Sequence, residues 1–431
     1  MKKIILFPIE VACRELPGKL LLAHKFAISG CIVFVGSKAR ILEFSKFLPE
    51  AIYFDKGYHE NVSERIYDDL EKRHLKIVSL DEENAVDFSD YQQLNLRFPD
   101  HILKRFRLVF LWGEKQFTYL KNNRANLAIE KTFVTGHPRF ELLSEKFRSI
   151  YQKDVDSFRK KYGNFILVNT NFGLGNNIKG DDFVVQNYAS RFPQLESLIK
   201  YQKEQTQNFI SLCKFLSSKL QVKIILRPHP EEDLAIYRDR LADFSNVEVI
   251  AEGSVIPWII AADIMIHHDC TTAIECAMLG KNSLAYTKNL KTELVTDIPL
   301  KISYKYSDQA EILEHVKCND DMPLKRNIEI LNDYFSYNCS GVDKILEEVL
   351  ELAAPALIRK RDLIYYQLIS YVKELLRGIF KKPDKLFQKK INGLDFYNVQ
   401  SILKNYNRID SNSVKVKKIN NHLFRIKQYQ K

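Results

Sequence analysis

No stretch of about 18 uninterrupted apolar residues occurs in the 431-residue chain, so a conventional membrane-spanning helix is not expected. The longest candidate, "VIPWIIAADIMI" (255–266), is broken by Pro257 and Asp263. The apolar run after Lys2 and Lys3 ends at Glu10, too short for the core of a secretory leader. It reads instead as a first buried strand. The seven cysteines (13, 31, 213, 270, 276, 318 and 339) are scattered and form no CxxC pair. That pattern points to reduced thiols in a cytosolic setting and away from a zinc site. No GxGxxG follows the first strand and no GxxxxGK[ST] occurs, which leaves a dehydrogenase or a P-loop NTPase without support. No DxD motif stands out, and the Asp pairs 181–182 and 320–321 lie in polar, loop-like sequence. Neither a metal site nor a cofactor is expected.

What is present is ordinary for a soluble globular chain: 45% hydrophobic and 28% charged residues. The charge is unevenly placed. Residues 359–431 hold 18 Lys and Arg against five Asp and Glu, a balance of +13, whereas the rest of the chain stands at −2 within a total of +11. A neutral body with a basic tail suggests an anionic surface as partner: a membrane leaflet, a nucleic acid or a polyanionic glycan. No recognised nucleic-acid-binding module accompanies the charge, so nucleic acid is not expected.

Short apolar runs alternate with helical patterns: "KIILFPI" (3–9), "CIVFVG" (31–36), "AIYFD" (51–55), "KIVSLDEE" (76–83), "LVFLWG" (108–113) and "KTFVTG" (131–136). A second series follows a break near 145–163: "NFILVNTNF" (164–172), "VKIILRP" (222–228), "VEVIAEG" (247–253), "IMIHHD" (264–269) and "NSLAYT" (282–287). This rhythm predicts an α/β protein with parallel sheets. Two Rossmann-like domains facing a cleft are expected at 1–150 and 160–345. Residues 355–431 read as a basic helical extension. Within it Leu363, Tyr366, Ile369, Val372, Leu376 and Phe380 recur at helical spacing. That pattern fits either an interfacial helix on anionic lipid or a strap packed on the first domain.

Ligands of parallel sheets collect at the carboxyl ends of strands. Arg227 and His229 stand at such an end in "KIILRPHP". Pro228 and Pro230 stiffen the backbone around the imidazole, and a neighbouring guanidinium suits phosphate. A second strand end, "IMIHHDCTTAIECAMLGK" (264–281), places His268, Thr271 and Thr272 at a helix start, where free N–H groups and hydroxyls favour an anion. Glu275 follows one turn on, suited to accept two ribose hydroxyls.

These two stretches resemble the C-terminal half of bacterial glycosyltransferases with the GT-B fold, in particular the surface-carbohydrate group. That group is related to the capsule and lipopolysaccharide transferases that use CMP-activated Kdo or sialic acid. The resemblance implies that His229, Thr271 and Thr272 hold the donor phosphate and Glu275 the ribose. "VNTNF" (168–172) resembles the loop opening the second domain of that group and marks Asn169 and Asn171 as donor contacts. "IEVACRELPGKLLLA" (9–23) resembles its first strand-to-helix loop, and "SLDEENA" (79–85) the acidic motif of bacterial sialyltransferases, with Asn84 where Gly is expected. "TGHPRFELL" (135–143) resembles the segment ending the first domain, with Glu141 replacing an Asp.

Glycosyl transfer needs a carboxylate to deprotonate the acceptor or attack the anomeric carbon. Glu82 and Glu83 are the leading candidates, with Glu15 and Glu10 as rivals. Arg14 suits the carboxylate that Kdo and sialic acid carry. The expected activity is transfer of a sugar from a nucleotide donor to a surface polysaccharide or lipopolysaccharide, at the cytoplasmic side of the membrane. The alternatives are a CDP-glycerol-type polyol-phosphate transferase or a non-catalytic nucleotide- or glycan-binding protein; a UDP-sugar epimerase of the same fold would not need the basic tail.

Overall fold

The computed structural model describes all residues except 1, 84–90, 190–191, 193, 319–324, 338–339, 353–358, 381–384 and 430–431. The described chain forms two compact α/β units. Among the described residues, those of 2–83, 91–150 and 332–429 belong to unit 1 and those of 151–331 to unit 2.

Unit 1 is built on β1 (Ile4–Ile9), β2 (Ile32–Ser37), β3 (Ile52–Asp55), β4 (Lys76–Leu80), β5 (Phe106–Leu111) and β6 (Thr132–Val134). These six strands pair in parallel in the order β2-β1-β3-β4-β5-β6. Every residue of "IILFPI" is buried, as expected where helices cover both faces of a parallel sheet. Successive side chains of β1 alternate: Ile5, Phe7 and Ile9 enter one apolar cluster, Ile4 and Leu6 the other. Helices Ala12–Ile28, Gly341–Glu351 and Phe396–Ile409 cover the first face. Helices Lys38–Ser45, Ser63–Glu71 and Lys360–Phe380 cover the second.

Unit 2 carries β7 (Phe165–Asn169), β8 (Lys223–Arg227), β9 (Val247–Val249), β10 (Ile264–His267), β11 (Ser283–Tyr286) and β12 (Tyr304–Tyr306). The sheet is all parallel, in the order β9-β8-β7-β10-β11-β12. This is the doubly wound order in which the direction of winding reverses beside the first strand. The expected α/β class with a helical C-terminal region is what the chain adopts.

The tail also holds strands that its composition conceals. After the helix Phe396–Ile409 the chain forms a hairpin, β13 (Val414–Asn420) and β14 (Leu423–Gln428). Strand β14 pairs antiparallel with β2 and extends the sheet of unit 1 to eight strands. Gly36 makes room for the turn: a Cβ there would stand 2.5 Å from the His422 carbonyl oxygen, which accepts the Ser37 N–H. Phe424 and Ile426 insert into the cluster that holds Val33 and Val35.

The hairpin is therefore part of the core rather than an appendage. Phe424→Ala should cost about 3–5 kcal/mol of unfolding free energy, read from chemical denaturation of the full chain. A loss below about 1 kcal/mol would show that β14 contributes nothing to the unit.

Candidate functional site

In unit 2 the winding reverses between β7 and β10, so the chain leaves their carboxyl ends toward opposite faces of the sheet, the place where sheets of this kind take ligands. Asn169 ends β7 and Thr272 opens the helix Thr272–Met278 after β10. The Asn169 Nδ2 donates to the Thr272 hydroxyl at 3.0 Å, tying the two strand ends together. The Asn169 Oδ1 is buried and has no hydrogen-bond partner among the described residues. Thr272 in turn donates to the Cys270 Sγ at 3.2 Å. Thr271 is half-buried and its hydroxyl does not cap the helix. Glu275 lies half-buried one turn further on, and Asn171 is half-buried in the loop after β7.

His229 belongs to the loop after β8, on the other flank of β7. Its position is set by a carboxylate not singled out in the sequence, Glu232. The Glu232 Oε1 accepts the His229 N–H (2.8 Å), the Phe172 N–H (3.1 Å) and the Thr170 hydroxyl (2.8 Å). The Tyr237 hydroxyl donates to its Oε2. Burial pushes the Glu232 carboxyl above its ordinary pKa, and these donors oppose that shift. One buried acid thus joins the loops after β7 and β8. The Glu231 N–H donates to the His229 Nδ1 at 3.3 Å, so Nε2 carries the proton of the neutral ring.

Two expected donor contacts are turned inward. The Arg227 fork donates to the carbonyls of Glu252 (2.7 Å) and Gly253 (3.1 Å), with the guanidinium 5.3 Å from the Trp258 ring centre. His268 is buried, with Nδ1 2.7 Å from the Tyr286 carbonyl oxygen and Nε2 2.7 Å from the Tyr201 hydroxyl. A carbonyl can only accept, so Nδ1 holds the proton and Tyr201 donates to Nε2. Both ring nitrogens are thereby occupied. Tyr201 sits on the long helix Leu195–Lys219, too far in sequence for periodicity to pair it with His268.

Of the Asp pairs noted in the sequence, Asp181 and Asp182 open the helix Asp181–Tyr188, where Asp181 pairs with Lys203. Asp320 and Asp321 lie outside the described residues.

Unit 1 repeats the arrangement: the winding reverses at β1, between β2 and β3. Glu10 and Arg14 follow β1, Lys56 follows β3, and Asp81, Glu82 and Glu83 follow β4. Glu15 is buried and reaches back to accept the N–H groups of Glu10 (2.9 Å) and Val11 (3.1 Å), capping the helix Ala12–Ile28. It also accepts from Lys56 Nζ at 3.0 Å. Lys56 pairs at 3.0 Å with Glu10, which is 41% exposed. Burial acts to raise the Glu10 pKa, but Lys56 and Lys38 hold it down at about 2.

The three consecutive acids part company. Asp81 is buried under Arg97, which donates to it from Nε (2.6 Å) and Nη2 (2.8 Å). Gly57, at φ +128°, permits that approach, since a Cβ there would stand 1.9 Å from the Arg97 Nη2. Glu82 is also buried, 3.2 Å from Lys19 Nζ and 3.4 Å from His137 Nε2. Its burial acts to raise the pKa, but Lys19 and His137 hold the carboxyl well below the ordinary range. Burial lowers the His137 pKa, with Glu82 opposing that shift. Glu83 reaches the rim: its side chain is 34% exposed and pairs with Arg14 at 3.0 Å and Arg97 at 3.6 Å. Arg14 and Arg97 outweigh burial and hold it far below the usual carboxylate range.

The cations Lys19 and Lys56 were missed in the sequence, although Lys19 lies four residues beyond Glu15 and Lys56 directly follows β3. Buried carboxylates require such partners. Glu141, the departure from the resembled segment, accepts the Val342 N–H at 3.1 Å and so caps the helix Gly341–Glu351.

Glu10, Glu82 and Glu83 all sit below the ordinary value of 4.5. Their ionised forms therefore stabilise the fold above that value, and the contribution is lost as pH falls from about 4.5 toward about 2. Melting temperature should drop across that window, more steeply at low salt, and Glu10→Gln should flatten part of the drop. A melting temperature constant across the window contradicts the assignment. Glu232→Ala leaves the His229 and Phe172 N–H groups and the Thr170 hydroxyl without their buried acceptor. It should cost about 3 kcal/mol or more in denaturation; a cost under about 1 kcal/mol would mean the two loops are held by other contacts.

No family model matches the chain, and no curated protein matches it. Among solved structures it is similar to the UDP-GlcNAc 2-epimerase of Methanocaldococcus jannaschii, at 12% identity over 81% of this chain and 99% of that one, with a TM-score of 0.49. It is similar to the wall teichoic acid polymerase TagF at 10% identity, over 81% of this chain and 90% of that one, with a TM-score of 0.46. A third such structure is Anabaena HepE in complex with UDP and glucose, at 14% identity over 81% of this chain and all (100%) of that one, TM-score 0.43.

Proposed function

We propose that the chain is a glycosyltransferase of the GT-B type. It would move a sugar from a nucleotide donor, CMP-linked by preference, to a bacterial surface polysaccharide or lipopolysaccharide at the cytoplasmic face of the membrane. The observation that carries this reading is the set of polar groups at the β7/β10 reversal of unit 2. There the buried Asn169 Oδ1, without a hydrogen-bond partner among the described residues, lies beside Thr272, and the His229 loop, held by Glu232, stands at the adjoining strand end.

In this reading Thr271, Thr272 and His229 bind the donor phosphate, Glu275 accepts the ribose hydroxyls, and Asn169 and Asn171 bind neighbouring polar groups of the nucleotide. Arg227 and His268 position loops in this reading, since the Arg227 fork donates to two carbonyls and both His268 ring nitrogens are occupied.

The candidate catalytic carboxylates all belong to unit 1. Glu83 is the strongest candidate, since Glu82 and Glu15 are buried in ion pairs while Glu83 is partly exposed. As long as Arg14 and Arg97 hold it, Glu83 is a weak base. In the proposed step Glu83 removes the acceptor hydroxyl proton as the oxygen bonds to the anomeric carbon. The anomeric carbon–phosphate oxygen bond breaks, and its electron pair leaves with the nucleotide. Glu10, paired to Lys56 and also partly exposed, is the second candidate.

Calorimetry of the full chain with CMP, CDP and UDP should give tightest binding for CMP. His229→Ala should weaken it about 10- to 100-fold, the worth of one charge-assisted hydrogen bond. Glu83→Gln should leave binding nearly intact and lower transfer about 10²- to 10⁴-fold, followed by mass spectrometry over a donor panel. Unchanged nucleotide binding in His229→Ala overturns the site. Turnover of CDP-glycerol in place of CMP-sugars replaces the reading with polyol-phosphate transfer.

A further inference from the structure

We propose that the outer face of the helix Lys360–Phe380, together with the hairpin β13–β14, is a docking surface for an anionic lipid bilayer. The inner face of this helix is committed to unit 1. Leu363 and Tyr366 are buried, and the Tyr366 ring packs on Phe44 and Phe47 at 4.9 and 5.3 Å. Asn420 donates to the Tyr366 and Ser370 hydroxyls at 2.8 and 2.7 Å, and Gln367 to the Ile419 carbonyl at 3.1 Å. These contacts fix which side faces outward.

Beyond Arg361 at its start, the described part of that outer side is apolar. Ile364, Tyr365, Leu368, Tyr371, Val372 and Leu375 are between 48% and 63% exposed. Their spacing places them on one arc of about 120° at 3.6 residues per turn. Nine of the 14 large hydrophobics exposed in the described chain lie beyond residue 360, six of them on this arc. Scattered exposure needs no explanation, but a contiguous stripe marks an interaction surface. A helix with one apolar stripe buried and another facing water is missing a second partner.

The charge beside the stripe names the partner. Lys415 stands directly opposite Lys427 and Lys417 opposite Arg425 in the antiparallel register. Alternation along the strands puts all four on the sheet face that carries this helix, since Leu423 and Ile419 of that face pack with Leu363 and Tyr366. Like charges directly opposed across a ladder destabilise it. Among the described residues no carboxylate pairs with any of the four; the basic side chains of this region that do have acidic partners are Arg40, Arg361 and Lys373. Edge protection accounts for lysines on β13. It does not account for Arg425 and Lys427 on β14, which is covered by β13 on one side and β2 on the other.

Cations alone would suit any polyanion. The aliphatic and tyrosine stripe discriminates, because a nucleic acid or a soluble glycan offers no hydrocarbon to Leu368, Val372 and Leu375. A bilayer surface offers both anionic headgroups and an apolar layer beneath them. No helix among the described residues is long and apolar enough to cross a membrane, so this helix would lie along the surface. The surface is independent of the nucleotide reading, and its test involves no nucleotide.

The test is co-sedimentation of the full chain with phosphatidylcholine vesicles, pure or carrying about 30% phosphatidylglycerol. Binding should require the anionic lipid and weaken with salt. Leu368→Glu with Leu375→Glu should abolish it with an unchanged melting temperature, both sites being solvent-exposed. If the melt shifts, the Ser pair at the same positions serves instead. Lys415→Gln, Lys417→Gln and Lys427→Gln together should weaken binding on the order of 100-fold, at about tenfold or somewhat less per surface cation. The proposal is overturned by absence of binding to either vesicle, by full binding of the Leu368/Leu375 variant, or by retention on nucleic acid or a soluble polyanion without vesicle binding. A dimer in light scattering that Leu368→Glu dissolves would assign the stripe to a second copy and overturn it equally.

Discussion

Burial of both parallel sheets on two faces is the constraint from which the rest follows. A strand such as β1 or β7 has no solvent side, so neither "IILFPI" nor "FILVN" can carry a charge along its length. Polar chemistry is pushed to the strand ends, and winding reversal decides which ends stand apart. In unit 2 that point lies between β7 and β10, and in unit 1 at β1. Each candidate site residue identified in the sequence sits at or just beyond the carboxyl end of a strand or within the first turns of the following helix. Two of them, Arg227 and His268, nevertheless point into their own unit. Reaching a strand end is necessary for a ligand contact and does not suffice for one.

Buried carboxylates do much of the organising. Glu15 caps the first helix and holds Lys56, and Glu232 gathers donors from two loops and a tyrosine. Each would be expensive to bury unpaired, and each is fully partnered. Such acids differ from Glu83 in one physical respect: their oxygens are occupied by the fold, whereas Glu83 borders solvent and is balanced by arginines that a ligand anion could engage. The acidic triplet 81–83 shows how one residue of spacing separates these roles. Asp81 neutralises Arg97, Glu82 neutralises Lys19, and Glu83 emerges at the rim.

The tail shows the same division between a local pattern and its partner. Its composition announces a basic segment, and its helical periodicity is visible in Leu363, Tyr366 and Ile369. The alternation in "VKVKKIN" is also visible afterwards, yet a lysine-rich seven-residue run has little intrinsic claim to a sheet. It becomes a strand because β14 finds the open edge of β2, nearly four hundred residues earlier, and because Gly36 leaves room for the turn. A single sequence carries no record of that vacancy.

By itself, then, the sequence determined the α/β class, the two strand series, the position of the break between them and the short list of polar residues at strand ends. Those properties are local, set by apolar runs, helical periods and prolines, and they survive any arrangement of the elements. Only the tertiary structure decided which of the listed side chains meet. Asn169 and Thr272 are 103 positions apart, and Tyr201 and His268 are 67 apart. It also decided that Arg227 turns to carbonyls, that Glu83 rather than Glu82 reaches solvent, and that the basic tail completes a sheet. Those outcomes depend on which oxygen or nitrogen lies within about 3 Å after folding, a distance that no spacing along the chain encodes.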